Sequence, residues 1–308
     1  LLVFELIYIL LRLKVRCKLY FFDKEMFTSS AVFALAIFLQ SVVNQANTKV
    51  DVTILGIMEG PESVTTYSVA MQIFSVFSSV STAAITIYLP KFSRMCANGQ
   101  PDGKTITDAT IEPSRVQTLM SGAILFGFLI CGRDFINVWM GEEYSFAWVI
   151  AVIILIPSFL LYTNGVIVSV LDAMGKRLVR SLVLAGIALC NIALTVVLVH
   201  FFGEIGAPIG TAIATFVGSV VIMNIYYVKV LGFKLGYFCA QVFKGIIPSL
   251  LAATAVSLPF IFILDVGLWG LVIKAGVFVV TLSISLWLFG FNKAEKDSIK
   301  GFFKRRKG

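Results

Sequence analysis

Gln40, Asn44, Asn47 and Asp51 follow one another in steps of four, three and four residues. That spacing lines side chains along one face of a helix of about 3.6 residues per turn. Amides both donate and accept hydrogen bonds and a carboxylate carries charge, so the row is strongly polar. The segment around it, Ala31 to Met58, is otherwise apolar. In a bilayer such a row is costly and marks a channel or transporter lumen. The next apolar segment carries Ser68, Gln72, Ser75, Ser79, Thr82 and Thr86, again three or four apart. Gln72 thereby joins the candidate cavity. The serines and threonines have a second reading, as hydrogen-bonding glue between helices.

Two cations, Lys49 and Arg133, stand inside apolar segments. Lys49 stands on a different face from Asp51, so it either meets a ligand or carries its ammonium outward along its stem. Arg133 has the adjacent Asp134 as a competing local partner. Lys274, about six residues from the end of its apolar run, is expected to snorkel to the interface.

Other chemistry is sparse. The single histidine, His200, lies near the end of an apolar run, and Cys17, Cys96, Cys131, Cys190 and Cys239 show no C-x-x-C spacing. Neither metal site nor disulfide framework is expected. Glu142 and Glu143 stand beside Trp139, Tyr144 and Trp148, which reads as an aromatic interface belt with a solvated acidic turn rather than a catalytic acid pair. No catalytic group, metal or cofactor is assigned, and the chain is not expected to be an enzyme.

Those residues must be held by membrane helices. Of the 308 residues 58% are hydrophobic and only 14% charged, with a mean hydropathy of +0.94; an ordinary soluble domain is about 25% charged. Apolar runs of about 20 residues suit α-helices crossing roughly 30 Å of hydrocarbon, and alternating barrel strands are absent from the pattern. The expected fold is all-α, a polytopic transmembrane helical bundle. About eight spans are expected, near Thr28–Met58, Thr65–Leu89, Val116–Val138, Ala147–Leu171, Leu182–Phe202, Pro208–Val228, Gly245–Leu264 and Leu268–Phe289. Leu1 to Leu11 is about half a span, and it reads as the end of an earlier helix in a longer transporter. The Gly-, Pro- and Asp-containing stretch Lys91 to Ser114 reads as a flexible linker.

Charge alternates along the connections. Arg12, Lys14, Arg16, Lys18 and Lys24, then Lys91, Arg94, Lys104 and Arg115, then Lys176, Arg177 and Arg180, then Lys229, Lys234 and Lys244, occupy every second loop. The intervening loops carry Glu59, Glu62, Glu142, Glu143, Glu204 and Asp265. Basic residues resist translocation, so these loops and the tail Lys304–Lys307 are expected in the cytoplasm. The net charge of +8 is then retention beside anionic membrane lipid, and no nucleic-acid partner is expected. Gly206, Gly210, Ala214 and Gly218 form a small-residue stripe for close helix packing, and Pro157, followed by Asn164 and Gly165, predicts a bend, as does Pro248.

The stretch Thr48-Lys49-Val50-Asp51-Val52-Thr53-Ile54-Leu55-Gly56, followed by Tyr67-Ser68-Val69-Ala70 and Leu89-Pro90-Lys91-Phe92-Ser93-Arg94, resembles the seventh and eighth helices of a transporter family. Further matches are Gly132-Arg133-Asp134-Phe135-Ile136 with Trp139-Met140-Gly141, Leu171-Asp172-Ala173-Met174-Gly175-Lys176, and Asn191 with Gly203-Glu204-Ile205-Gly206-Ala207-Pro208-Ile209-Gly210-Thr211-Ala212. The family is the polysaccharide-transporter branch of the multidrug/oligosaccharidyl-lipid/polysaccharide exporters, and the similarity runs in order from about Phe22 to Phe289. The resemblance implies a flippase carrying a polyprenyl-diphosphate-linked oligosaccharide across the bacterial inner membrane for O-antigen, capsule or exopolysaccharide synthesis, with the sugar in the cavity of Gln40, Asn44, Asn47, Asp51 and Gln72, and Lys49 and Arg133 as candidates for its anionic headgroup. It implies that residues 1–26 end a truncated helix and a basic loop, 27–228 form a second six-helix lobe, and 229–308 form an extra helical hairpin with a basic cytoplasmic tail. The implied partners are the lipid-linked oligosaccharide, membrane lipid, an N-terminal lobe of the same protein, and polysaccharide polymerase or assembly proteins. Two alternatives stay open, a cation-coupled multidrug antiporter of the same superfamily and a non-transporting scaffold for polysaccharide assembly.

Overall fold

The computed structural model describes residues 23–97, 99, 101–175, 177–263, 267–292 and 295–297, without the side chains of some helical residues, among them Gln40, Asn44, Asn47, Thr48 and Thr86. The half-span Leu1–Leu11, the basic run from Arg12 to Lys18, Cys17 and the tail Lys304–Lys307 lie outside the described residues. The chain is helical, with no strand among the described residues. The α-helices among the described residues are α1 Lys24–Met58, α2 Pro61–Ala97, α3 Gly103–Trp139, α4 Ala147–Thr163, α5 Gly165–Ala173, α6 Arg177–Phe202, α7 Gly206–Ala214, α8 Met223–Leu231, α9 Leu235–Phe243, α10 Ile246–Ser257, α11 Pro259–Ile263 and α12 Leu268–Ser285. π-helical segments Thr215–Ile222 and Leu286–Gly290 continue α7 and α12.

Local chemistry sets the boundaries. The Asp23 carboxylate accepts from the Glu25 and Met26 amides at 2.9 and 3.4 Å and so caps α1, supplying acceptors for N–H groups that have no intrahelical partner. Asp102 caps α3 by accepting from the Thr105 amide at 3.3 Å and from its hydroxyl. Gly60, Gly141, Gly203 and Gly232 turn the chain at positive φ, a region that costs glycine little.

Among the described residues three helical stretches are long and apolar enough to cross a membrane, Gly103–Trp139, Val179–Leu231 and Leu268–Gly290, or five if two bent pairs each count as one. Part of the difference from the eight expected lies in one long stretch. The 53-residue stretch Val179–Leu231 folds back at the turn Gly203–Ile205, with α7 packed on α6, so it contains two of the expected spans. Pro157 sits inside α4, but the break comes at Asn164, where α4 and α5 bend by 45°. Pro248 is in the first turn of α10, where its missing N–H breaks no helix bond.

The expected linker Lys91–Ser114 is mostly helix. Phe92 and Ile106 are fully buried against Val166, Ile167, Val170, Leu171, Tyr227 and Phe238, and that apolar contact extends α2 and α3 beyond the span limits that hydropathy marks. A second core joins α1 to α4 through Leu55, Tyr67, Phe77, Ile136, Ile150 and Leu155. A third holds α10 and α12 on α3 through Ile130, Leu250, Phe278 and Leu282. Helix α3 thus serves both sides, packing against α2 and α4 and also against α9, α10 and α12.

Candidate functional site

The small-residue stripe forms the seam between α6 and α7. A Cβ on Gly206 would collide with the backbone of Leu198, one on Gly218 with Ile187, and one on Gly210 would stand 3.0 Å from Thr195 Oγ1. Glycine at these positions lets the two backbones approach. Close approach in turn presents Thr195 of α6 and Thr211 of α7 to the same point.

That point is the carboxylate of Asp51. Thr195 Oγ1 donates to Oδ1 at 3.1 Å, Thr211 Oγ1 to Oδ2 at 2.7 Å, and the Tyr67 hydroxyl of α2 to Oδ2 at 3.0 Å. Asn191 Nδ2 reaches Thr211 Oγ1 at 3.5 Å, while its own Oδ1 is buried without a hydrogen-bond partner among the described residues. Asp51 is 2% exposed, and no lysine or arginine pairs with it among the described residues. Four helices therefore close an oxygen-lined site around one acid group. Hydroxyls can donate to an ionised carboxylate or accept from a protonated one. An isolated buried charge is expensive, so this arrangement suits a group that takes up and releases a proton or a hard cation. No cluster of three or more histidine, cysteine or acidic residues exists among the described residues.

The other expected site residues are distributed differently. Gln72, Lys49 and Arg133 are exposed, whereas Asp51 points into the lobe. Asp51 is thus an interior group rather than a wall of an open path, because α1 turns that face onto α6. Lys49 and Arg133 project from α1 and α3, which both pack on α2, while α6 covers α1 and α4, α10 and α12 cover α3. The helix positions of Gln40, Asn44 and Asn47 are described, but their side chains are not.

Lys274 does not snorkel. It is 1% exposed and its ammonium donates to Asp134 Oδ2 at 2.5 Å, so α12 is joined to α3 by a buried ion pair. Pairing satisfies both charges in a place where either alone would be costly. The signal for it in sequence was Asp134, an acid in an apolar helix with Val138 rather than a basic residue one turn on.

Arg115, expected in a loop, is 3% exposed inside α3. Nη1 donates to the carbonyls of Gln241 and Lys244 at 2.8 and 2.9 Å, Nη2 to Gly290 at 2.8 Å, and Nε and Nη2 to the Glu295 carboxylate at 2.7 and 3.1 Å. These carbonyls end α9 and the π segment after α12, where helices leave acceptors unpaired and present the negative end of their dipoles. Gly245, at φ 80°, lets the two ends meet, since a Cβ there would strike the Phe289 carbonyl. Burial pushes the Glu295 carboxyl up, but the Arg115 hydrogen bond, the Asn292 amide and the Arg115 charge outweigh it and hold the group below its ordinary value.

Residues 1–148 match the family model described as "Polysaccharide biosynthesis protein". The "Probable low-salt glycan biosynthesis flippase Agl15" of Haloferax volcanii is 23% identical over 171 residues, covering 55% of this chain and 36% of that protein. The solved structure titled "Lipid II flippase MurJ, inward closed conformation" superposes with a TM-score of 0.65 at 17% identity. The resemblance to polysaccharide transporters is borne out. The structural match covers 86% of this chain and 55% of that one, so the chain spans about a third to a half of the proteins it matches. It is a multi-pass membrane protein with the all-helical fold of that flippase.

Proposed function

We propose that this chain is the second lobe of a flippase that moves a polyprenyl-diphosphate-linked oligosaccharide for O-antigen, capsule or exopolysaccharide synthesis. The reading rests above all on the likeness in fold to a lipid II flippase across 86% of the chain. The amide-bearing face of α1 and Gln72 of α2 would handle sugar hydroxyls, Lys49 and Arg133 would meet the diphosphate, and no covalent step is involved. The lobe would sit in a bacterial inner membrane with its basic loops and C-terminus in the cytoplasm. An N-terminal lobe of the same protein and polysaccharide assembly enzymes would be its partners. Asp51 would exchange the coupling proton or cation, supported by its burial among three hydroxyls without a basic partner.

The test is flipping of fluorescent lipid-linked oligosaccharide by the full-length protein in proteoliposomes, with Asn44→Ala and Gln72→Ala beside wild type. Flipping by wild type that falls severalfold in both variants supports the reading. Unchanged flipping in both would remove the cavity assignment. Efflux of organic cations without flipping would mark an antiporter, and neither activity a scaffold.

A further inference from the structure

Where α2, α3 and the α4–α5 joint meet, the lobe encloses polar side chains that the transport reading leaves unused. Ser114, Gln117, Thr118 and Ser121 share one arc of α3, because steps of three and four keep side chains on a face, and all four are fully buried. Gln117 Nε2 donates to the Ser81 carbonyl of α2 at 3.0 Å, and the Thr118 and Thr163 hydroxyls meet at 3.2 Å. Gly165, the first residue of α5, leaves room for the amide: a Cβ there would lie 2.9 Å from Gln117 Nε2.

Three oxygens in this seam, Ser81 Oγ, Ser114 Oγ and Gln117 Oε1, are buried without a hydrogen-bond partner among the described residues. Their neighbours behave otherwise. Thr118, Ser121, Ser158 and Thr163 each turn back to the carbonyl four residues earlier, at 2.7 to 3.0 Å. The Ser81 and Ser114 hydroxyls make no such bond. Native interiors seldom leave a buried oxygen unpaired, and one buried water commonly joins two to four of them. All six seam side chains are neutral, which suits water better than a cation whose dehydration needs charge to offset it.

We propose that the seam binds ordered water between Gln117 Oε1 and the hydroxyls of Ser81 and Ser114. The site lies beside the joint where α4 and α5 bend by 45° and where Asn164 Nδ2 is tied to Asn224 Oδ1 at 3.2 Å. Water that exchanges one partner for another lets this joint change its bend without stranding a polar group in the membrane interior.

Cryo-electron microscopy of the full-length protein in nanodiscs, at a resolution that shows ordered solvent, is the direct test. A density peak about 2.6–3.2 Å from at least two of the three oxygens is expected in sodium buffer and equally in choline buffer. Loss of the peak in choline would assign a cation and overturn the proposal, as would no peak in either. Ser81→Ala and Ser114→Ala give a second readout of opposite sign for the two cases. With water bound, each variant removes one of its partners, and the thermal midpoint falls by about 1–3 °C. In a dry seam each variant relieves an orphaned hydroxyl, so a midpoint that rises or stays put in both overturns the proposal.

Discussion

Replacing Arg115 by methionine keeps most of the side-chain volume and removes the guanidinium that gathers the ends of α9 and of the π segment after α12. Three carbonyls, those of Gln241, Lys244 and Gly290, lose a charged donor, and an unpaired buried acceptor costs about 1–3 kcal/mol. Taking the low end, because water can reach this membrane edge, gives about 3 kcal/mol for the three. Glu295 is 24% exposed, so its lost pairing adds only about 1 kcal/mol. The expected loss is therefore about 4 kcal/mol, read as unfolding free energy by steric trapping of the full-length protein in bicelles. The carboxylate share has its own pH signature. Glu295 is held below its ordinary value, so its stabilisation is complete above the value it has in the unfolded chain and fades as pH falls through the lower folded value. Glu295→Gln should abolish that acid-side fading and cost no more than about 1 kcal/mol. A loss below about 1 kcal/mol for Arg115→Met would refute the assignment of Arg115 as the tie between these helix ends.

The ion pair on the other part of α3 predicts a different pattern. Lys274→Met or Asp134→Leu alone should destabilise by about 3–5 kcal/mol, because each strands a buried charge, while the double variant should recover most of that loss; additive losses in the same unfolding assay would contradict the pairing. Gly206→Ala places a methyl against the Leu198 backbone and should push α7 off α6. The expected cost is about 1–3 kcal/mol, together with lower activity, since Thr211 would leave Asp51. Gly236→Ala, where a Cβ meets nothing within 4 Å, is the matched control and should be within about 0.5 kcal/mol of wild type.

Membrane class, helix type and the close-packing stripe of α7 were legible because each depends on local pattern: apolar run length, charge alternation and a small residue every fourth position. The placement of Asp51 was not. Its three donors come from positions 16, 144 and 160 residues away, and helical periodicity says which residues share a face without saying which helix covers it. The row from Gln40 to Asp51 is real as a periodicity, but its last member is turned inward against α6 and α7. Lys274 failed for a related reason, since a long side chain in an apolar run can reach water or a buried acid with the same sequence. The extension of α2 and α3 through Lys91–Ser114 depends on Phe92 and Ile106 meeting α5, α8 and α9, a contact that turn-forming residues nearby conceal.

Asp51 carries the central claim, because the proposed coupling rests on its hydroxyl cage. Full-length wild type and Asp51→Asn should be compared in proteoliposomes for flipping of labelled lipid-linked oligosaccharide, with and without imposed proton and sodium gradients. The account predicts that wild-type flipping accelerates under one of these gradients and that Asp51→Asn, folded to the same thermal midpoint within a few degrees, loses that acceleration. Asp51→Asn flipping that responds to the gradient as wild type does would contradict it.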